Sequence, residues 1–167
     1  MVQRFLVAVD DTESSPVTLS FAAAVARAEQ ASVHVVYVNT LIPGARGHAQ
    51  STDTEAARLV ESAVRDLHDA GVAATGSVIV ANALRLPQAI VGAAEDVGAG
   101  AILVGSRRRR SLRRLLGRGT RERIISLTGL PVLVAPAPLG EIALAGPPRE
   151  LVTGLDGAAT GGQGGRR

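Results

Sequence analysis

Five short aliphatic runs punctuate this chain, and the four intervals between them carry apolar residues at helical spacing. The runs are Phe5 to Val9, Val33 to Val38, Val78 to Val80, Ala101 to Val104 and Pro131 to Val134. Runs of this length, rich in β-branched residues and without strict polar alternation, suit strands buried on both faces of a parallel sheet. Aromatic residues make up only 2% of the chain against 46% hydrophobic residues, so the core must be built from Val, Ile, Leu and Ala.

The intervals predict the helices. Thr12 to Ser15 are cap-type residues, Pro16 suits a first helical turn, and Val17, Phe21, Ala24, Val25 and Ala28 then repeat at helical spacing. Residues 39–51 contain Pro43, Gly44 and Gly47 and read as a loop. A second helix is expected from about Thr52 to Ala70, with Leu59, Ala63 and Leu67 on one face and Gly71 as its stop. Pro87 to Val97 predicts a third, with Ile90, Val91 and Ala94 inward, and Arg121 to Leu127 a fourth. The pattern β-α-β-α-β-α-β-α-β calls for parallel strands joined by right-handed crossovers. It predicts an α/β fold, an open doubly wound five-stranded sheet with helices on both faces. The chain is too short for eight repeats of a closed barrel. Composition does not give the strand order. If that order reverses between the first and fourth strands, their carboxyl ends frame a ligand crevice.

Residues 1–136 are expected to form one domain and 137–167 a Gly/Pro-rich tail of low complexity. Within the tail, Leu151 to Gly157 echoes Phe5 to Asp11, an aliphatic run followed by Asp. That is either the start of a truncated second copy or a chance likeness of short apolar stretches. The start of the chain lacks the pattern of a signal peptide, and no apolar run is long enough to span a bilayer. A cytoplasmic location without membrane contact is the expectation.

Several chemistries are excluded by what is missing. There is no cysteine, hence no disulfide, thiolate metal site or cysteine nucleophile. All eighteen basic residues are arginine, so a lysine-dependent phosphate loop and Schiff-base chemistry are also excluded. The histidines, His34, His48 and His68, show no metal-binding spacing. No nucleophile-elbow motif surrounds a serine. A dedicated enzyme is therefore not expected.

Charge is unevenly placed. Nine arginines lie between Arg107 and Arg123 with one acid, Glu122, a local charge of +8, whereas nine arginines face fourteen acids elsewhere. Such a run is either a solvated loop or the counterpart of an acidic ligand. Nucleic acid is the less favoured partner, because the aromatics that would stack on bases are scarce.

Two places can carry chemistry. Asp10 and Asp11 follow the first strand, where a carboxylate can accept from ribose hydroxyls or cap the first helix. Gly105 and Ser106 follow the fourth strand, where glycine lets backbone N–H groups approach phosphate and Ser106 either binds or caps a turn. Gly119 and Thr120 open the next helix, whose N-terminus favours anions, and Thr120 can add a hydroxyl donor or a cap.

Val9-Asp10 with the cap cluster behind it, Val104-Gly105-Ser106, Leu115-Leu116 and Leu130-Pro131-Val132-Leu133-Val134 resemble the universal stress protein family over about residues 3–136. The resemblance implies the adenine nucleotide alpha hydrolase-like fold, with strand order 3-2-1-4-5. It implies ATP, with or without Mg²⁺, as a bound nucleotide that is hydrolysed weakly or not at all, and a homodimer formed through the fifth strand. By the same resemblance Ala8, Val9 and Asp10 lie at the adenine and ribose, and Val38 lies against the base. The family's ATP-binding members carry Gly-x-x-Gly, nine residues, then Gly-Ser or Gly-Thr. Here Gly105 matches the first glycine, but Arg108 and Arg118 stand at the next two glycine positions, with Gly119 at the hydroxyl position. A one-residue shift recovers Gly119-Thr120. The arginines either crowd the phosphate or contact it themselves. The competing expectation is a nucleotide-free dimeric interaction module with a degraded motif.

Overall fold

The computed structural model describes residues 3–11, 15–41, 49–106 and 119–137. Its elements are β1 (Arg4–Val9), α1 (Ser15–Ala28), β2 (Ser32–Leu41), α2 (Asp53–Asp69), β3 (Ala74–Asn82), α3 (Leu86–Asp96), β4 (Ala101–Val104), α4 (Thr120–Leu127) and β5 (Val132–Val134), with one 3-10 turn, Ala83–Arg85, between β3 and α3. The five strands form one all-parallel sheet in the order β3-β2-β1-β4-β5. This is the doubly wound architecture that the alternation of elements predicts.

Alternate strand residues feed two apolar layers. Phe5, Val7 and Val9 of β1, with Val33, Val35 and Tyr37 of β2 and Leu103 of β4, pack under α1 and α2, meeting Leu19, Ala22, Ala26, Val60 and Leu67. Leu6, Val36, Val38, Ile102 and Val104 face the other way, toward Ile90, Val91 and Ala94 of α3 and Ile124 of α4. The strand residues are apolar in both phases because both faces are covered, which is why the runs read as nearly continuous. The alanines on the helices bring helix and sheet close, and Phe5 and Tyr37 fill the same layer from the strands. At β3 the fit is tighter still: a Cβ on Gly76 would collide with Val60 Cγ1 and lie 3.1 Å from Val64 Cγ2.

Helix ends follow local chemistry. Thr52 and Glu55 form a reciprocal capping box at the start of α2. Their hydrogen bonds, backbone first and then side chain, hold the Glu55 carboxyl below its ordinary pKa. Gly71 and Gly98 take φ of +78° and +63° just beyond α2 and α3, a conformation costly for any residue with a Cβ.

Several strand boundaries differ from the sequence expectation. β2 continues through Asn39, Thr40 and Leu41 rather than ending at Val38, and β3 begins at Ala74 rather than Val78 and runs past Val80 to Asn82. These extensions pair with partners across the β2–β3 ladder, whose register runs from Val33↔Ala74 to Leu41↔Asn82. Ladder hydrogen bonds do not require apolar side chains, so Thr75, Gly76 and Ser77 can be strand without giving an apolar signal. Among the described residues no helix is long and apolar enough to cross a membrane. The tail beyond Ala137, including the echo at Leu151 to Gly157, lies outside the described residues.

Candidate functional site

The order reverses at β1. From β1 the chain moves outward through α1 to β2 and β3, then returns through α3 to place β4 on the other side of β1. α1 packs on one face and α3 on the other, so the chain parts beyond the carboxyl ends of β1 and β4. Ala8 pairs with Val104 across these strands, which puts Asp10 and Gly105 just past neighbouring strand ends. Two segments nearly a hundred residues apart are thus brought together.

On the β1 side, Asp10 is tied to the start of α1. Its N–H donates to Ser15 Oγ at 3.2 Å, and that hydroxyl lies 2.6 Å from the Asp10 carbonyl oxygen and 3.1 Å from Asp10 Oδ1. Asp10 is thus bonded to the first residue of α1 while it stands at the crevice. Asp11 Oδ2 accepts from Gln50 Nε2 at 3.1 Å. Gln50 in turn is bound to Thr40 through both side chain and backbone, at 2.9 Å each.

Behind this link stands Asn39, 0% exposed. Its Nδ2 donates to the Ser51 carbonyl at 2.7 Å, and its Oδ1 accepts from the Ser51 N–H at 3.0 Å. Tyr37 Oη and Ser51 Oγ share a further hydrogen bond of 2.8 Å. The chain entering α2 is stitched to the end of β2 in this way. Sequence reading missed Asn39, Gln50 and Ser51 because they fell in a stretch read as loop. The available signal was Asn39-Thr40 directly continuing a β-branched run.

The binding residues expected from sequence divide by face. Ala8 and Val38 lie on the α3 side of the sheet, whereas the Val9 side chain is buried on the α1 side. Val9 can thus meet a ligand on the α3 side only through its backbone. Past β4, Gly105 and Ser106 are half-buried, and Ser106 Oγ is shielded from solvent without a hydrogen-bond partner among the described residues. A buried hydroxyl in that condition is uncommon and calls for a reason, an absent ligand among them.

α4 begins at this same end of the sheet, because β5 runs parallel to β4 and the connection must return between them. Gly119 is its N-cap, in extended conformation and without a side-chain cap, and Thr120 is its first residue, half-buried. The orphan N–H groups of a helix start are natural anion donors. Arg108 and Arg118, with the rest of residues 107–118, lie outside the described residues. Among the described residues, no three His, Asp or Glu side chains gather as a metal site would require.

The chain matches the universal stress protein family over residues 1–136. It belongs to that family. Solved structures agree with the assignment. A universal stress protein from Archaeoglobus fulgidus is 26% identical, with a TM-score of 0.64 over 81% of this chain and 95% of that one. The structure of the universal stress protein from Archaeoglobus fulgidus in complex with dAMP is 25% identical, with a TM-score of 0.61 over 81% of this chain and 100% of that one. A universal stress protein in complex with cAMP is 21% identical and shares the fold, at a TM-score of 0.62 over 80% of this chain and 95% of that one. A comparison with curated proteins found no match. The universal stress protein fold thus accounts for the sheet order, the reversal at β1 and the crevice there.

Proposed function

We propose that this universal stress protein binds an adenine nucleotide, ATP foremost, in the crevice between the ends of β1 and β4, as a binding protein with at most weak hydrolysis. The observation that carries this reading is the shielded Ser106 hydroxyl, which has a donor to give and no acceptor among the described residues. A phosphate oxygen would meet it, together with the backbone around Gly105 and the α4 N-terminus at Gly119 and Thr120. Such charge-assisted hydrogen bonds are each worth about 1.5–3 kcal/mol. Asp10 would accept from the ribose, and Ala8, the Val9 backbone and Val38 would border the base. The relative solved with dAMP supports an adenine ligand. Mg²⁺, where present, would arrive on the nucleotide's own phosphates.

Isothermal titration of the full chain with ATP and Mg²⁺ tests this. Saturable heat at micromolar ligand is the expected result; no heat from folded protein at high micromolar ligand would sink it.

A second reading is favoured by the arginines at positions 108 and 118, where the family's ATP-binding members carry glycine. Here the sheet is a scaffold for a nucleotide-free dimer formed along β5. A chain in which wild type ignores ATP but the double replacement Arg108→Gly, Arg118→Gly binds it would establish that reading. Light scattering with and without residues 137–167 would report the dimer, and also whether residues 1–136 are a domain independent of the tail. In either reading we place the protein in the cytoplasm.

A further inference from the structure

Glu122 is the single acid between Arg107 and Arg123, among nine arginines. It is the third residue of α4. Its half-buried carboxylate folds back over the helix start, so that a Cβ built on Gly119 would collide with Glu122 Oε2. That is the region where N–H groups and the positive end of the helix dipole attract an anion. Gly119, the N-cap, has no side chain to occupy it. Ser106 Oγ, shielded and unpartnered, follows β4 at the same end of the sheet.

We propose that Glu122 is a built-in substitute for phosphate: its carboxylate holds the α4 anion seat in the nucleotide-free protein, a nucleotide phosphate must displace it, and it thereby ranks nucleotides by charge. The inference rests on the reading of the crevice as a nucleotide site. A displaced carboxylate stays tethered three residues into the helix. It remains within a Debye length, roughly 8–10 Å, of whatever takes its place. Its repulsion then grows with the ligand's charge, so that it opposes a triphosphate more than a monophosphate. Arg121 and Arg123, its chain neighbours in α4, carry the opposite charge and favour the richer anion, and Glu122 works against them.

A purely structural role makes a different forecast. A glutamate at this position commonly closes a capping box, and glutamine fills the same role without charge. If capping were all that Glu122 did, Glu122→Gln would leave nucleotide ranking untouched.

The test is calorimetric titration of the full chain, as wild type, Glu122→Gln and Glu122→Ala, with ATP and separately with AMP. Removing the charge is expected to tighten ATP binding roughly three- to tenfold, and AMP binding by clearly less. Glu122→Ala should move affinity the same way while lowering the melting temperature, since it also removes the side chain that covers the helix start. ATP affinity unchanged within about twofold, or an equal gain for ATP and AMP, overturns the proposal and leaves the nucleotide reading standing. Absence of binding by all three proteins overturns the nucleotide reading itself and the proposal with it.

Discussion

On the β1–β2 side of the crevice, Asn39, Gln50 and Ser51 engage their surroundings through short hydrogen bonds, whereas on the β4–α4 side the Ser106 hydroxyl is shielded from water with no partner. The first side is built as structure. Asn39 satisfies both the N–H and the C=O of one backbone residue, which is how a polar group is buried without penalty. The second side carries an unmet donor, a glycine N-cap and a glutamate turned back upon it. Burying a hydroxyl without a partner costs about 1–3 kcal/mol, so that wall gives up stability for a partner the described residues do not supply. The contrast separates residues that hold the crevice open from residues that meet its occupant.

Variants on the two sides should therefore fail differently. The largest effect is expected from Asn39→Ala, which strands the part-buried backbone N–H and C=O of Ser51 and leaves a cavity at a fully buried position. Urea unfolding should show a loss of about 3 kcal/mol, and a loss below about 1 kcal/mol would mean the stitch is dispensable. Next comes Gly76→Val, whose Cβ would strike Val60 across the α2–β3 contact. Overpacking there should cost about 2 kcal/mol with no selective change in nucleotide affinity. Ser106→Ala reverses the pattern. It removes no hydrogen bond from the free chain, so stability should hold or rise by up to about 1 kcal/mol. Affinity for ATP should fall about tenfold, which is about 1.4 kcal/mol. A Ser106→Ala chain that unfolds easily, or binds ATP as the wild type does, would erase the distinction between the walls.

The same contrast explains what could be read from sequence. Apolar periodicity is a local signal, so it announced β1, β4 and the inward faces of the helices. It was silent where pairing is carried by backbone alone, and Thr75 to Ser77 and Asn39 to Thr40 were lost for that reason. Strand order is a property of non-local pairing. The adjacency of Asp10 and Gly105 was available only through the family resemblance. The Ser106 position was legible, but its unmet hydrogen bond was not, because burial depends on segments far away in the chain. Glu122 was visible only as a lone acid among arginines; its place over Gly119 depends on how the helix start folds.

The smallest effect concerns neither wall, and it serves as the reference for both. His34 lies near the start of β2, at the end of the sheet away from the crevice, with Nδ1 2.8 Å from Thr75 Oγ1 and Nε2 2.9 Å from Ser77 Oγ. Burial pushes its pKa below the ordinary value, and the Arg4 guanidinium adds to this. The two hydroxyls can serve either protonation state by rotating, so the penalty on the cation is desolvation and repulsion rather than lost hydrogen bonds. The folded protein then binds fewer protons than the unfolded chain between the lowered pKa and about 6.5. His34 therefore makes stability fall as pH drops through that window, with the loss complete below the folded pKa. Thermal unfolding at about pH 7.5 and about pH 5.5 should show the decline, and His34→Asn should flatten the part that this imidazole contributes. ATP affinity should respond to neither the histidine nor its replacement. A nucleotide affinity that moved with His34 would mean that the two ends of the sheet are coupled, and stability and binding could no longer be assigned to separate walls.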